Sequence, residues 1–86
     1  MEVYVYGPLR TATGEKVVDV PADGGTVGDL LEAFLGEYPR TASQLVDDDG
    51  GLRPSVRVMV DDEKATWDQP VSKHDEVKIF PAMRGG

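Results

Sequence analysis

The chain has 86 residues, with 9 Lys+Arg against 16 Asp+Glu and a formal charge of −7. That size suits one small domain, and that charge repels phosphate backbones, so nucleic acid is excluded as a partner. Strong acidity keeps a small domain soluble and suits docking on a basic partner surface. There is no cysteine, which removes disulfides, thiolate metal sites and a Cys nucleophile.

Glu2 and alternating Val and Tyr occupy the place of a basic start and apolar run, so no signal peptide is read there. No stretch approaches transmembrane length. No membrane partner is expected, and a cytoplasmic location is. Val3 and Val5 alternate with Tyr4 and Tyr6, a strand over 2–6 that Gly7-Pro8 ends. Residues 9–14 are small and polar and read as a loop. Lys16 to Val20 reads as a second strand, hairpinned to the first, stopped by Pro21 and a turn at Asp23-Gly24-Gly25.

Val27, Leu30, Leu31, Phe34, Leu35 and Tyr38 then recur at i, i+3, i+4, i+7, i+8 and i+11, one face of a helix. Thr26 stands at the N-cap with Asp29 three residues on, the two ends of a capping box. Asp29 and Glu32 also suit the helix dipole, and Pro39 sets the end by disfavouring helical backbone at Tyr38. This stripe is core.

Thr41 to Pro54 holds Asp47-Asp48-Asp49-Gly50-Gly51, a solvated loop whose spacing does not match a calcium loop. Val56, Val58 and Val60 alternate with Arg57 and Met59 in a further strand. Asp61-Asp62 offers a turn, Lys64 to Trp67 a short irregular strand, and Asp68 to Asp75, with Pro70, mostly turn. Trp67 reads either as a packing anchor or as a partner contact. Val77 and Ile79 alternate with Lys78 and Phe80 in the last strand, Glu76 to Phe80. The order β-β-α-β-(β)-β is that of an α+β fold, the β-grasp. It lays one main helix on one face of a mixed four- to five-stranded sheet and leaves the other face for partners. Residues 1–81 form this domain, and residues 82–86 a flexible tail.

The tail, Ala82-Met83-Arg84-Gly85-Gly86, follows the strand ended by Pro81. Glycine has no Cβ and enters narrow channels closed to other residues. A terminal Gly-Gly carboxylate can therefore be presented to another enzyme's active site, whereas the bland reading of such a tail is simple fraying. The helix entry Thr26-Val27-Gly28-Asp29-Leu30-Leu31, the Tyr38-Pro39 exit, the strand Val56–Val60, and Asp75–Pro81 leading to Gly85-Gly86 together carry a resemblance. The chain resembles the ubiquitin-like sulfur carriers and modifiers: the small subunit of molybdopterin synthase, the thiamine sulfur carrier and, above all, the small archaeal modifier proteins. It departs from that pattern at Ala82, in place of a second proline, at Met83-Arg84 before the glycines, at Asp61-Asp62 where relatives often have Asn-Gly, and at Lys73-His74.

The resemblance implies a protein that is not itself an enzyme. Its Gly86 carboxylate, with Gly85 beside it, is adenylated by a partner enzyme of the ubiquitin-activating type, then thiolated or joined to lysines of target proteins. No cofactor is bound by this chain; the ATP is the partner's. Arg84, Met83 and Pro81 are the candidates for tail recognition. Phe80, Met59 and Arg57, on strand faces opposite the helix, are the candidates for a docking surface. The free protein is expected to be a monomer. His74, without a Ser or Cys nucleophile to serve, reads as a surface residue. Lys16, Lys64, Lys73 and Lys78 read as exposed lysines open to modification. Two rivals are a dedicated small subunit of molybdopterin synthase, whose tail donates sulfur within the large subunit, and a β-grasp interaction module with an inert tail.

Overall fold

A computed structural model describes residues 1–22 and 24–81. Strands β1 (Glu2–Val5), β2 (Val17–Asp19), β4 (Arg57–Val60), β5 (Glu63–Ala65) and β7 (Val77–Phe80) form one mixed sheet in the order β2-β1-β7-β4-β5. β1 and β7 are parallel at its centre, with Val3 opposite Val77 and Val5 opposite Ile79, and the other pairs are antiparallel. This is the expected α+β architecture, with the full five strands.

Alternation along each strand sends one set of side chains to each face. Val3, Val5, Val18, Val58, Val60, Val77 and Ile79 are buried. They join Val27, Leu30, Leu31 and Phe34 of the main helix α2 (Val27–Glu37) in a single core. Burial of such side chains contributes about 1.5–3 kcal/mol each before entropy is subtracted.

Helix α2 starts where its sequence says it should. The Thr26 hydroxyl accepts from the Asp29 amide at 3.2 Å, and the Asp29 carboxylate accepts from the Thr26 amide at 3.0 Å, a complete capping box. The Val27 and Gly28 amides donate to the carbonyls of Gln69 and Trp67, each at 2.9 Å. The orphan donors of the first turn are therefore satisfied within the fold. At the other end the Tyr38 amide closes the last turn on the Phe34 carbonyl.

Three segments differ from the sequence reading. Residues 9–14 were expected as loop, but Pro8–Thr13 forms a short helix, α1, ending at Gly14 with φ of 76°. Pro8 sits at its start, where proline's fixed φ fits and its missing N–H costs nothing. Only Leu9 of this helix is buried, so no periodicity announces it. Instead of a turn, Gly24–Thr26 is a strand, β3, paired antiparallel with β6 (Pro70–Ser72) in a separate two-stranded ribbon; Asp23 lies outside the described residues. Because β6 is short and starts at a proline, its sequence reads as turn.

The expected loop over 41–54 begins instead in helical turns, a 3₁₀ turn at Pro39–Thr41 and α3 (Ala42–Leu45), with Thr41 and Leu45 fully buried. The Thr41 hydroxyl donates to the Tyr38 carbonyl at 2.7 Å, which satisfies a buried polar group.

Candidate functional site

The parts that matter for the tail gather where β7 ends. β7 pairs with β4 up to Phe80 opposite Arg57. Pro81, which has no N–H to continue the ladder, is buried. The expected tail, with Ala82, Met83, Arg84, Gly85 and Gly86, lies outside the described residues.

Alternation puts Tyr4, Arg57, Met59, Lys78 and Phe80 on the sheet face away from α2. Tyr6, just past the end of β1, stacks on Phe80 with ring centroids 4.4 Å apart and an interplanar angle of 9°. The Arg10 guanidinium lies over the Tyr6 ring, 4.9 Å from its centroid. Its Nε donates to the Val5 carbonyl at 2.9 Å, which fixes it there. Arg57 stands on the other side of Phe80, in register with it. The result is a strip, Arg10–Tyr6–Phe80–Arg57, crossing the sheet at the point where the tail departs. An open concavity of about 380 Å³ lined by Ser55, Arg57, Phe80 and Pro81 adjoins it.

The structure thus brings Phe80, Arg57 and Pro81 together. Met59 lies one step further down the same face, opposite Lys78. Tyr6 and Arg10 were not singled out by sequence. Tyr6 shares its face with Phe80 because β1 and β7 are parallel neighbours, a pairing that alternation alone does not reveal. Arg10 comes from the unforeseen helix α1.

The opposite end of the face has the opposite sign. The Lys78 ammonium is held by the Asp62 carboxylate at 3.1 Å and the Glu76 carboxylate at 3.3 Å. The Asp62 hydrogen bond, then that of Glu76, raise its pKa above the usual 10.5. Lys78 is half-buried rather than exposed, unlike Lys16, Lys64 and Lys73. A second concavity, about 440 Å³, opens at this end beside Glu2, Tyr4 and His74. It lies at the other end of β7 from Pro81, and His74 is exposed.

Trp67 proves to be a packing residue: half-buried against the core, its indole covers Gly28. A Cβ on Gly28 would come within 2.6 Å of Cε2 and 2.9 Å of Cδ1 of that ring, so helix and indole meet only because position 28 is glycine. Asp47 uses its carboxylate to accept from the Asp49 and Gly51 amides, a loop-closing role. Among the described residues no group of three or more His, Cys, Asp or Glu side chains could hold a metal ion, and no helix is long and apolar enough to cross a membrane.

A five-stranded mixed sheet with parallel central strands, a capped helix on one face and a C-terminal strand running out to Gly-Gly defines a ubiquitin-like β-grasp protein. The chain belongs to the ThiS family, whose model matches residues 3–86. It is 34% identical over 87 residues to small archaeal modifier protein 1 of Haloferax volcanii, covering 100% of both chains. The crystal structure of that protein superposes with a TM-score of 0.85, at 33% identity over 99% of this chain and 97% of the other. The chain is also 29% identical over 86 residues to the molybdopterin synthase sulfur carrier subunit of Escherichia coli, covering 100% of this chain and 99% of that protein. A chain in the crystal structure of the Amycolatopsis orientalis BexX/CysO complex matches with a TM-score of 0.81, at 28% identity over 99% and 98% of the two chains.

Proposed function

We propose that this protein is a ubiquitin-like modifier and sulfur carrier that works through activation of the Gly86 carboxylate. The observation that carries the reading is the extent of the family match, which runs through the β-grasp core and on to Gly86. A carboxylate resists nucleophilic attack because of its charge. When a carboxylate oxygen of Gly86 attacks the α-phosphorus of ATP, pyrophosphate leaves and an acyl adenylate forms. A sulfur nucleophile then attacks the acyl carbon and AMP departs, leaving a thiocarboxylate or a thioester. A lysine amine attacking the acyl adenylate instead forms an isopeptide bond as the acyl–phosphate bond breaks, AMP departs and the amine loses a proton.

The chain's own share of this chemistry is to deliver the carboxylate. Five residues follow Pro81, a reach of at most about 18 Å, so the partner must hold its nucleotide within that distance of the end of β7. Gly85 and Gly86 admit the backbone to a narrow channel. Met83 and Arg84 offer it an apolar and a cationic side chain. The partner is an adenylating enzyme of the ubiquitin-activating type, the ATP is bound by that enzyme, and both work in the cytoplasm.

The name of the Escherichia coli relative supports a second reading, sulfur donation to the large subunit of a molybdopterin synthase. One experiment in cells covers both. Trypsin cuts after Arg84, so every conjugate leaves Gly-Gly on a target lysine, while a thiocarboxylate exchanges one oxygen of Gly86 for sulfur. Deleting Gly85-Gly86 is expected to abolish the remnants, the sulfur-bearing form, or both. Unchanged remnants, thiolation and molybdopterin content in the deletion strain would overturn both readings.

A further inference from the structure

The outer face of the sheet is polarised in a way that the net charge hides. The chain carries −7 overall, yet the charged side chains of the strip at the tail exit are Arg10 and Arg57. The acidic groups of this face, Glu2, Glu76 and Asp62, lie at its far end. Lys78 is already neutralised by Asp62 and Glu76, whereas Arg10 and Arg57 form no ion pair among the described residues. Arg10 is held in place by the Val5 carbonyl and by the Tyr6 ring, so its orientation is set before any partner arrives. Between Arg10 and Arg57 lies the stacked Tyr6–Phe80 pair, half-buried on this face. Aromatic rings flanked by arginine are the side chains that dominate binding at interfaces.

We propose that Arg10 and Arg57 are the specificity-determining residues of the docking surface for the enzyme that activates the tail, and that this enzyme meets them with an apolar shelf bordered by carboxylates. The inference rests on the function proposed above. Its basis is charge complementarity. An acidic partner surface is repelled by the net negative charge and attracted by the two guanidinium groups of the strip, which favours the orientation that brings the end of β7 to it. A basic partner, which composition alone suggests, would be drawn to the acidic end of the face, away from the tail. The shelf accounts for the aromatic pair, and two carboxylates account for the pre-set guanidinium groups, each suited to a bidentate contact.

The test is ATP–pyrophosphate exchange by the purified adenylating enzyme of the same cell, with the full chain as varied substrate. The double variant Arg10→Glu/Arg57→Glu is expected to raise KM by about tenfold or more while kcat stays within about twofold. The wild-type KM should climb with added salt. The control is Arg40→Glu/Lys73→Glu, which makes the same change in net charge at exposed positions off the strip, and its KM should stay near wild type. Arg57→Glu alone guards against a folding defect from loss of the Arg10–Val5 hydrogen bond, because Arg57 makes no side-chain hydrogen bond to the described residues; Arg10→Lys/Arg57→Lys should recover part of the loss. Equal KM values for the strip and control variants would overturn the proposal. So would a self-association of the wild type, seen by sedimentation, that Arg57→Glu abolishes, because the occupant of the strip would then be a second copy of this chain. If exchange requires Gly86 but ignores both arginines, the function stands and the docking surface falls. No exchange with the wild type removes both.

Discussion

Lys78 shows how much one side chain's neighbours change its chemistry. Its ammonium sits between the Asp62 and Glu76 carboxylates, and the Asp62 hydrogen bond is the main cause of its raised pKa. A raised folded-state pKa means that the interaction's contribution to stability is present below pH 10.5 and lost as pH climbs through the higher folded value. The free amine is the reactive form, so Lys78 is expected to be the slowest of the four lysines outside the tail to react with an amine-directed acylating reagent. Peptide mapping after brief labelling at mildly alkaline pH checks this, and Lys78 labelled as fast as Lys64 would contradict it. Sequence placed Phe80, Arg57 and Met59 on one face because strand alternation is a local rule. Tyr6 and Arg10 escaped it because their places depend on which strand lies beside which and on a helix too short to show a period.

At the scale of elements, the legible parts were those that repeat or carry a cap. α2 announces itself through six periodic apolar positions and the Thr26–Asp29 box, and both its start and its end at Tyr38-Pro39 agree with the structure. The β3–β6 ribbon and the turns at 39–45 were not legible, since three-residue strands have no alternation to read, and Thr41 is a polar residue at a fully buried position. The ribbon's role is to hold the segment around Trp67 against the start of α2, where the Gly28 and Val27 amides find their acceptors. A methyl group at position 28 must displace the indole. Gly28→Ala is therefore expected to destabilise the fold by about 1–3 kcal/mol. It should also shift the fluorescence of Trp67, the only tryptophan. A chemical denaturation curve followed by that fluorescence reads both quantities, and an unchanged midpoint and spectrum would show that the indole does not rest on the helix.

At the scale of the whole molecule, the proposed function divides the work between a folded body and the Gly86 carboxylate. The body supplies the core, a face polarised from acidic to cationic, and a last strand that stops at Pro81 beside the cationic end. Under the proposed function the partner supplies the nucleotide site and the acid–base groups. Family membership ties this chain to proteins named as modifiers and sulfur carriers, and under the proposed function both routes pass through one activated carboxylate. The most direct measurement is therefore mass spectrometry of the chain after incubation with its adenylating enzyme and ATP. A single AMP adduct on Gly86 is expected, formed with release of pyrophosphate and absent when Gly86 is deleted. An unmodified Gly86 under conditions where the enzyme activates another substrate, or an adduct that survives the deletion, would contradict it.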